Sequence, residues 1–244
     1  MFAEFSMDPA TPRRPVWAVR DMVYGVALLL LSLALVSVVL QAVGPVATGG
    51  GGRVSVTGAV ATLAFELLFG GAVVWLAYRR GLHPRDLGFV RPRRWGPAFI
   101  AWLGAYVVLQ LYQLTLEVLR RQGVNVSMFD DGNVLPFDKI ESAAVLVIFG
   151  LAVVVVAPLA EELFFRALLF RGMRGYWRLF PSLLVSGAAF GIFHVNPSVV
   201  VPFAAIGMLF GWANEQTGSL WTSISAHAAV NGISFFLGVY VLEP

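Results

Sequence analysis

Two adjacent glutamates, Glu161 and Glu162, lie inside the apolar stretch VVVVAPLAEELFFRALLFRG, which runs from residue 153 to residue 172. A charged side chain inside a membrane helix costs roughly 2.5–3.5 kcal/mol on insertion scales, so each glutamate needs a partner or a water-filled cavity. Arg166 follows Glu162 by four residues, and residues at that spacing share a helix face. Glu161 is turned about 100° away around the helix axis. We therefore expect Glu162 to pair with Arg166, while Glu161 faces something else.

Two histidines and an asparagine occur at the same helical spacing further along the chain. FGIFH places Phe190 and His194 on one helix face, and HAAVN does the same for His227 and Asn231. With a rise of about 1.5 Å per residue, these polar groups and Glu161 fall in one layer near mid-membrane. Such a layer could perform acid/base chemistry on a carbonyl group. A glutamate takes a proton from water, an imidazole protonates a leaving amine, and a histidine and an asparagine donate to an oxyanion.

The nucleophile of this chemistry is expected to be water. Ser186, Ser223 and Ser225 lie in the region, but no serine or threonine is obviously paired with either histidine. Each polar residue also has a structural interpretation, because intramembrane charges usually find partners and polar side chains often bond between membrane helices. The coincidence of depth and spacing on three helices favours a chemical site over that interpretation.

Polar residues in two earlier apolar segments are interpreted as structural. Glu66 lies about as deep as the site by the same rise per residue. It could line the cavity, but we favour packing or hydrogen bonding and leave it out of the predicted site. Gln110, Gln113 and Glu117 recur roughly every turn of the next segment. They could line a polar groove, although bonding between helices is the favoured interpretation.

Membrane-spanning helices are the elements that would position these residues. The 244 residues are 58% hydrophobic and 13% charged, with a mean hydropathy of +0.78, whereas soluble domains are about 25% charged. The predicted fold is therefore all-α, a polytopic membrane helix bundle in a single integral membrane domain, 1–244, with a polar cavity opening toward the cytosol. Windows long enough to cross the hydrocarbon core predict about seven helices, at approximately 21–43, 55–78, 97–119, 142–170, 181–196, 199–214 and 218–241.

The distribution of arginine predicts the orientation in the membrane. Residues 1–20 are expected to form a cytosolic N-terminal tail, and the connector at 79–95 carries six arginines. The excess of basic residues in cytoplasmic segments indicates a multi-pass protein of the cell membrane with a cytoplasmic N-terminus. The pI of about 9.6 is explained by these short gaps between apolar runs, so no nucleic-acid partner is predicted. The absence of cysteine excludes disulfides, thiol nucleophiles and cysteine-ligated metal.

Three short motifs resemble those of a known family. EELFFR, FGIFH and HAAVN resemble the EExxxR, FxxxH and HxxxN motifs of the CPBP intramembrane proteases. This family is also called the Abi or CAAX-processing and bacteriocin-processing family, and its eukaryotic members are the type II CAAX prenyl endopeptidases. The resemblance covers about 142–240, which we predict to be the catalytic core. It implies a glutamate-type intramembrane endopeptidase that needs no cofactor and acts in the lipid bilayer.

The resemblance also implies a role for each motif residue. Glu161 would be the base that activates water, and His194 would hold that water or pass on its proton. His227 and Asn231 would form the oxyanion hole. Glu162 would orient the site together with its ion-pair partner. The implied substrate is a membrane-associated peptide or a prenylated CAAX-type protein.

Two alternatives remain open from the sequence. A zinc ion could be held by Glu161, His194 and His227, which are acceptable ligands, although the sequence lacks an H-E-x-x-H motif. The interpretation without metal is the one that we favour. The chain could also be a non-catalytic membrane scaffold, an immunity factor or a proton-coupled carrier, because proton relays use intramembrane Glu and His. A relay would not need Asn231.

Overall fold

The fold is a bundle of helices that crosses the membrane several times. A computed structural model describes residues 15–43, 55–129, 140 and 142–240. Within these residues each of the seven predicted helices has a counterpart, with one short 3-10 turn at Ser127–Phe129. We number them α1 (Val19–Val43), α2 (Val56–Arg79), α3 (Gly96–Arg121), α4 (Ala143–Arg174), α5 (Leu179–Phe193), α6 (Pro197–Thr217) and α7 (Leu220–Tyr240).

Six of these helices are long and apolar enough to cross a membrane, and α5 is the shorter one. With 15 residues, α5 extends about 22 Å, which is less than the roughly 30 Å of a hydrocarbon core. The predicted fifth span, 181–196, was therefore too long at its C-terminal end. Pro197 begins α6, and the Asn196 side chain caps that helix by accepting from the Ser198 amide at 3.0 Å. Asn196 has extended backbone, as expected for the residue before a proline, and α5 ends ahead of it at Phe193.

Helix α4 is irregular on both sides of the two glutamates. A π-helical segment at Ala152–Val156 precedes them, and a second one at Leu163–Phe170 follows them. In the first segment Ala157 donates its amide to the Ala152 carbonyl, five residues back. The amide of residue 158 would next reach the Val153 carbonyl, but Pro158 has no N–H. The missing amide of Pro158 thus accompanies a π-helical turn, a feature frequent at functional sites.

Close packing of α5 against α6 depends on glycines. A Cβ added to Gly187 would lie 2.5 Å from the Ala204 carbonyl oxygen, and one added to Gly191 would meet the Val200 carbonyl. Small residues spaced four apart let membrane helices approach each other closely. These glycines therefore fix how far α5 lies from α6, and with it the position of His194, directly after α5.

The last residues of the predicted N-terminal tail belong to the bundle. Trp17 is fully buried, and its indole N–H donates to the Ala167 carbonyl at 2.6 Å. Just inside α1, Asp21 pairs with Arg80 at 3.3 Å. Residues 1–14, the greater part of the predicted tail, lie outside the described part of the chain. The segment from residue 15 onward thus anchors α1 rather than extending into solvent.

Candidate active site

A cavity of about 370 Å³ lies between α2, α3, α4, α5, α6 and α7. Four of the predicted site residues line it: Glu161, His194, His227 and Asn231. Most of the remaining lining is apolar, with phenylalanines from several helices. A small polar group in a mostly apolar pocket is the usual composition of a ligand or active site. The fold thus brings together the polar layer that the sequence predicts.

The predicted ion pair lies behind the cavity wall. Arg166 Nη1 is 3.2 Å from Glu162 Oε1, and both side chains are completely buried. Arg166 Nη2 also donates to the Gly207 carbonyl at 3.1 Å, and the guanidinium carbon lies 4.5 Å from the centre of the Phe190 ring. Neither charge could stay buried without the other, because an uncompensated buried charge is costly. The pair therefore serves as a fixed polar anchor beneath the site.

His227 connects the two glutamates, a relationship that the sequence spacing does not show. Its Nδ1 is 3.1 Å from Glu162 Oε1, and its Nε2 is 3.9 Å from Glu161 Oε2. The ring stacks on Phe210 with 5.1 Å between ring centres. Because a carboxylate accepts, we assign the Nδ1 proton to the bond with Glu162. Arg166, Glu162, His227 and Glu161 thus form one continuous row of polar groups.

Glu161 lines the cavity, unlike Glu162, and has a buried carboxyl oxygen that accepts no hydrogen bond from the described residues. The side chain is 6% exposed and lines the cavity. In the part of the chain that the structure describes, Oε2 has no hydrogen-bond partner. The two adjacent glutamates therefore have different surroundings, one in an ion pair and the other facing the cavity. This is the arrangement that the 100° turn between them predicts.

His194 is the residue directly after α5 and is held by its own helix. Its Nδ1 lies 2.9 Å from the Phe190 carbonyl oxygen. A carbonyl oxygen can only accept, so Nδ1 carries the proton and Nε2 is the nitrogen left for other partners. The edges of the Phe190 and Phe203 rings enclose the imidazole. His194 is thus fixed at the cavity wall with one ring nitrogen uncommitted to the backbone.

Asn231 reaches across from α7 to the irregular turn of α4. Its Nδ2 donates to the Val153 carbonyl at 2.9 Å. This is the carbonyl to which Pro158 cannot donate, because proline has no N–H. A carboxamide carries two N–H donors, so one remains. Asn231 therefore has a structural bond that was not predicted and a second donor that could serve the oxyanion role.

The cavity wall also includes polar residues that the predicted site omits. Glu66 from α2 and Tyr112 from α3 line the cavity, together with Gln113. The depth estimate placed Glu66 level with the site but could not show which way its helix face turns. Glu117, in contrast, forms ion pairs with Arg120 and Arg121 at the surface. The predicted 142–240 core thus does not enclose the cavity by itself.

Two neighbouring serine hydroxyls are engaged elsewhere. Ser186 donates to the Phe165 carbonyl at 2.9 Å, and Ser223 donates to the Leu220 carbonyl at 3.1 Å. Neither bond involves a histidine, so this geometry supports water as the nucleophile. Among the described residues, no cluster of three or more His, Cys, Asp or Glu side chains is arranged to hold a metal ion. The zinc alternative is left to experiment.

The cavity extends toward one end of the bundle. Phe129, which follows α3, and Ser198, at the start of α6, line it, whereas no residue of the 79–95 connector does. If the arginines of that connector lie in the cytosol, the cavity extends toward the other side of the membrane. The predicted opening toward the cytosol and the predicted cytoplasmic N-terminus both stay predictions.

Together the helices and the cavity define a multi-pass membrane protein with a polar site enclosed by its spans. Residues 143–233 match the family model described as Type II CAAX prenyl endopeptidase Rce1-like. This match confirms, for that part of the chain, the resemblance drawn from the three motifs, and it contains every residue of the predicted site.

A curated relative supports the same class. The Bacillus subtilis (strain 168) protein named "Putative membrane peptidase YdiL" is 30% identical over 90 residues, which are 37% of this chain and 36% of that protein. The match thus spans just over a third of the relative's length. No solved structure matches this chain. The similarity is to the peptidase-like region, and it leaves the substrate and the chemical mechanism open.

Proposed function

We propose that the protein is an intramembrane endopeptidase that hydrolyses a peptide bond of a membrane-associated substrate. The observation that carries this proposal is the buried Glu161 carboxyl, whose Oε2 accepts no hydrogen bond from the described groups and whose cavity also holds His194, His227 and Asn231. General acid/base catalysis needs a base with a free oxygen next to the reacting atoms. The similarity of 143–233 to CAAX endopeptidases and to a membrane peptidase supports the same reaction class.

The reaction begins with water held between Glu161 and His194. Glu161 takes a proton as the water oxygen attacks the carbonyl carbon of the scissile bond, which gives a tetrahedral oxyanion. The C–N bond then breaks, and the proton passes to the leaving amine through Glu161 or His194. The products are a new carboxyl terminus and a new amino terminus. Neither step requires a side chain of the protein to form a covalent bond.

Asn231 and His227 are the proposed donors to the oxyanion. The N–H of Asn231 that is not bonded to Val153 is one donor. The second donor is Nε2 of His227, which needs a proton of its own for this role because Nδ1 is held by Glu162. Donors fixed in a water-excluded site stabilise developing charge more strongly than the same groups would in water. The row from Arg166 to His227 keeps this second donor in place.

A cleavage assay tests the proposal. Full-length protein in liposomes is incubated with membrane-anchored peptides, each in a prenylated and an unprenylated form, and mass spectrometry identifies the products. We expect internal cleavage that is lost in Glu161→Gln. If neither wild type nor variant cleaves any peptide, the non-catalytic scaffold, immunity or proton-coupled alternative gains instead. The two peptide forms show whether a prenyl group is required.

The proposed location is the cell membrane, with a cytoplasmic N-terminus as the arginines predict. In that orientation the cavity extends toward the non-cytosolic side. Labelling of single cysteines placed in the cysteine-free chain, one in the 79–95 connector and one at position 128, decides the orientation. Reaction of the connector cysteine only after the cytosolic face is opened supports it. The reverse pattern places the cavity toward the cytosol.

A further inference from the structure

Glu66 is a second buried carboxyl group in the cavity, and nothing in the proposed mechanism uses it. Its side chain is 6% exposed and projects from the middle of α2. Oε2 of Glu66 has no hydrogen-bond partner among the described residues, yet Glu66 lines the cavity. A buried polar group without a partner is costly, so such groups in native structures call for an explanation. One explanation is a hydrogen-bond donor that the substrate brings into the cavity.

The charge of the cavity indicates which kind of partner this is. Glu66 and Glu161 line the same cavity. None of the described residues that line the cavity is lysine or arginine. Arg166 is already committed to Glu162 and to the Gly207 carbonyl behind the wall, and His227 faces Glu162 with Nδ1. The cavity therefore has acidic groups in excess, and a cationic ligand group complements it.

A second unpartnered group on the neighbouring helix supports this interpretation. The hydroxyl of Tyr112 on α3 is buried, lines the cavity, and has no hydrogen-bond partner among the described residues. An ammonium or guanidinium group carries several N–H donors and no acceptor. Carboxylate and hydroxyl oxygens, the groups that Glu66 and Tyr112 bring to this cavity, are the acceptors that such a group needs. Both residues lie on helices outside the 143–233 family match.

We propose that Glu66, with Tyr112, forms a subsite that binds a basic side chain of the peptide substrate close to the scissile bond. This deepens the proposed peptidase function, on which it rests for calling the bound peptide a substrate. The subsite gives α2 and α3 a role in selecting what the motif helices cleave. Peptide binding can be measured without cleavage, so the subsite and the peptidase function can be refuted independently of each other.

The test measures binding of peptides to the full-length protein in liposomes. Each peptide has one apolar anchoring helix and a short polar tail, and lysine, norleucine or glutamate is moved through the positions of that tail. We expect wild type to bind the lysine peptide roughly tenfold or more tightly than the norleucine peptide at one position, as a close charge pair across an interface would produce. In Glu66→Gln this ratio falls to about one, and in Glu66→Lys the glutamate peptide is preferred.

Glu117→Gln is the matched control, because Glu117 is a carboxylate on α3 that forms surface ion pairs and does not line the cavity. That variant keeps the wild-type preference. Equal ratios in wild type and Glu66→Gln, or no preference for lysine at any position, overturn the subsite. Cleavage of the same peptides is then measured: selective binding without cleavage ends the peptidase proposal only, and cleavage without charge preference ends the subsite only.

Discussion

Asn231 on α7 donates its side-chain amide to the Val153 carbonyl on α4 at 2.9 Å, and this is the carbonyl that Pro158 leaves without a helical donor. The bond joins the HAAVN motif to the π-helical turn that precedes Glu161. Proline, asparagine and the irregular turn are therefore parts of one arrangement. The position of the proposed base depends on a residue from another helix.

The first prediction separates the structural hydrogen bond of Asn231 from its proposed role as an oxyanion donor. Asn231→Ala leaves the Val153 carbonyl without its partner and should lower the free energy of unfolding by about 1–3 kcal/mol. Pro158→Ala restores an amide at residue 158, which can donate to the Val153 carbonyl within α4. Thermal unfolding in detergent should therefore show a smaller loss for Asn231→Ala in the Pro158→Ala background. Strictly additive losses would contradict the shared carbonyl.

Cleavage by the same variants tests the oxyanion role. If Asn231 also contacts the oxyanion, the double variant regains stability but remains slow, because the second N–H is missing as well. We expect this result. Recovery of activity along with stability would show that Asn231 only holds α4 in place.

The second prediction concerns the proposed base. Glu161→Gln keeps the size of the side chain but cannot take a proton from water, so the cleavage rate should fall by about 10²–10⁴-fold. Circular dichroism and thermal unfolding should stay near wild type, because Oε2 accepts no hydrogen bond from the described residues and its contact with His227 Nε2 is long, at 3.9 Å. Glu117→Gln, on the bundle surface, should cleave normally. Cleavage by Glu161→Gln at the wild-type rate would remove the mechanism.

The third prediction addresses the buried ion pair. Arg166→Met leaves the completely buried Glu162 uncompensated, and should lower the free energy of unfolding by roughly 3–5 kcal/mol. Adding Glu162→Gln should recover much of that loss, since the unpaired charge is removed. Denaturant titration in mixed micelles measures both. Arg121→Met breaks a surface pair and should change little; a large effect there would indicate a general sensitivity to charge loss.

The fourth prediction concerns the α5–α6 contact. Gly191→Ala places a methyl group against the Val200 carbonyl and should separate the two helices, which lowers thermal stability and displaces His194. The control is Gly71→Ala on α2, where an added Cβ meets nothing within 4 Å. Cleavage and the unfolding temperature should both fall in the first variant and stay unchanged in the second. Equal behaviour would show that α5 does not depend on this contact.

The fifth prediction concerns metal dependence. We expect cleavage to continue at its full rate after chelator treatment, with no stoichiometric metal in purified active protein. Loss of activity with chelator, restored by zinc, would instead support the site of Glu161, His194 and His227. Elemental analysis of the same sample prevents a tightly bound ion from being missed.

Helical spacing predicted part of the site correctly because it describes relationships within one helix. The Glu162–Arg166 pair follows directly from a four-residue interval, and the structure contains it at 3.2 Å. Composition likewise predicted the all-α membrane bundle, since the hydropathy of long segments decides whether they can span. The end of α5 was predicted less well, although Asn196 followed by Pro197 is a recognisable start signal for the next helix.

Contacts between different helices could not be predicted from the sequence. The His227–Glu162 bond depends on how α7 is rotated against α4. The spacing of residues along one helix gives no information about that rotation. Glu66 shows the same limit, because its depth was estimated from the sequence while its direction depends on the packing of α2. The direction in which the cavity opens stays a prediction for a related reason: depth along a helix does not show which end is left uncovered.

The shortness of α5 has a consequence for the surrounding lipid. A helix of about 22 Å in a hydrocarbon layer of about 30 Å creates a hydrophobic mismatch of several ångströms, which thinning of the nearby bilayer relieves. The segment with His194 lies at the end of that helix, so the depth to which lipid covers it changes with acyl chain length. We therefore expect short-chain lipids to bring this histidine closer to water and long-chain lipids to bury it. In that case the composition of the membrane controls how readily water reaches the site.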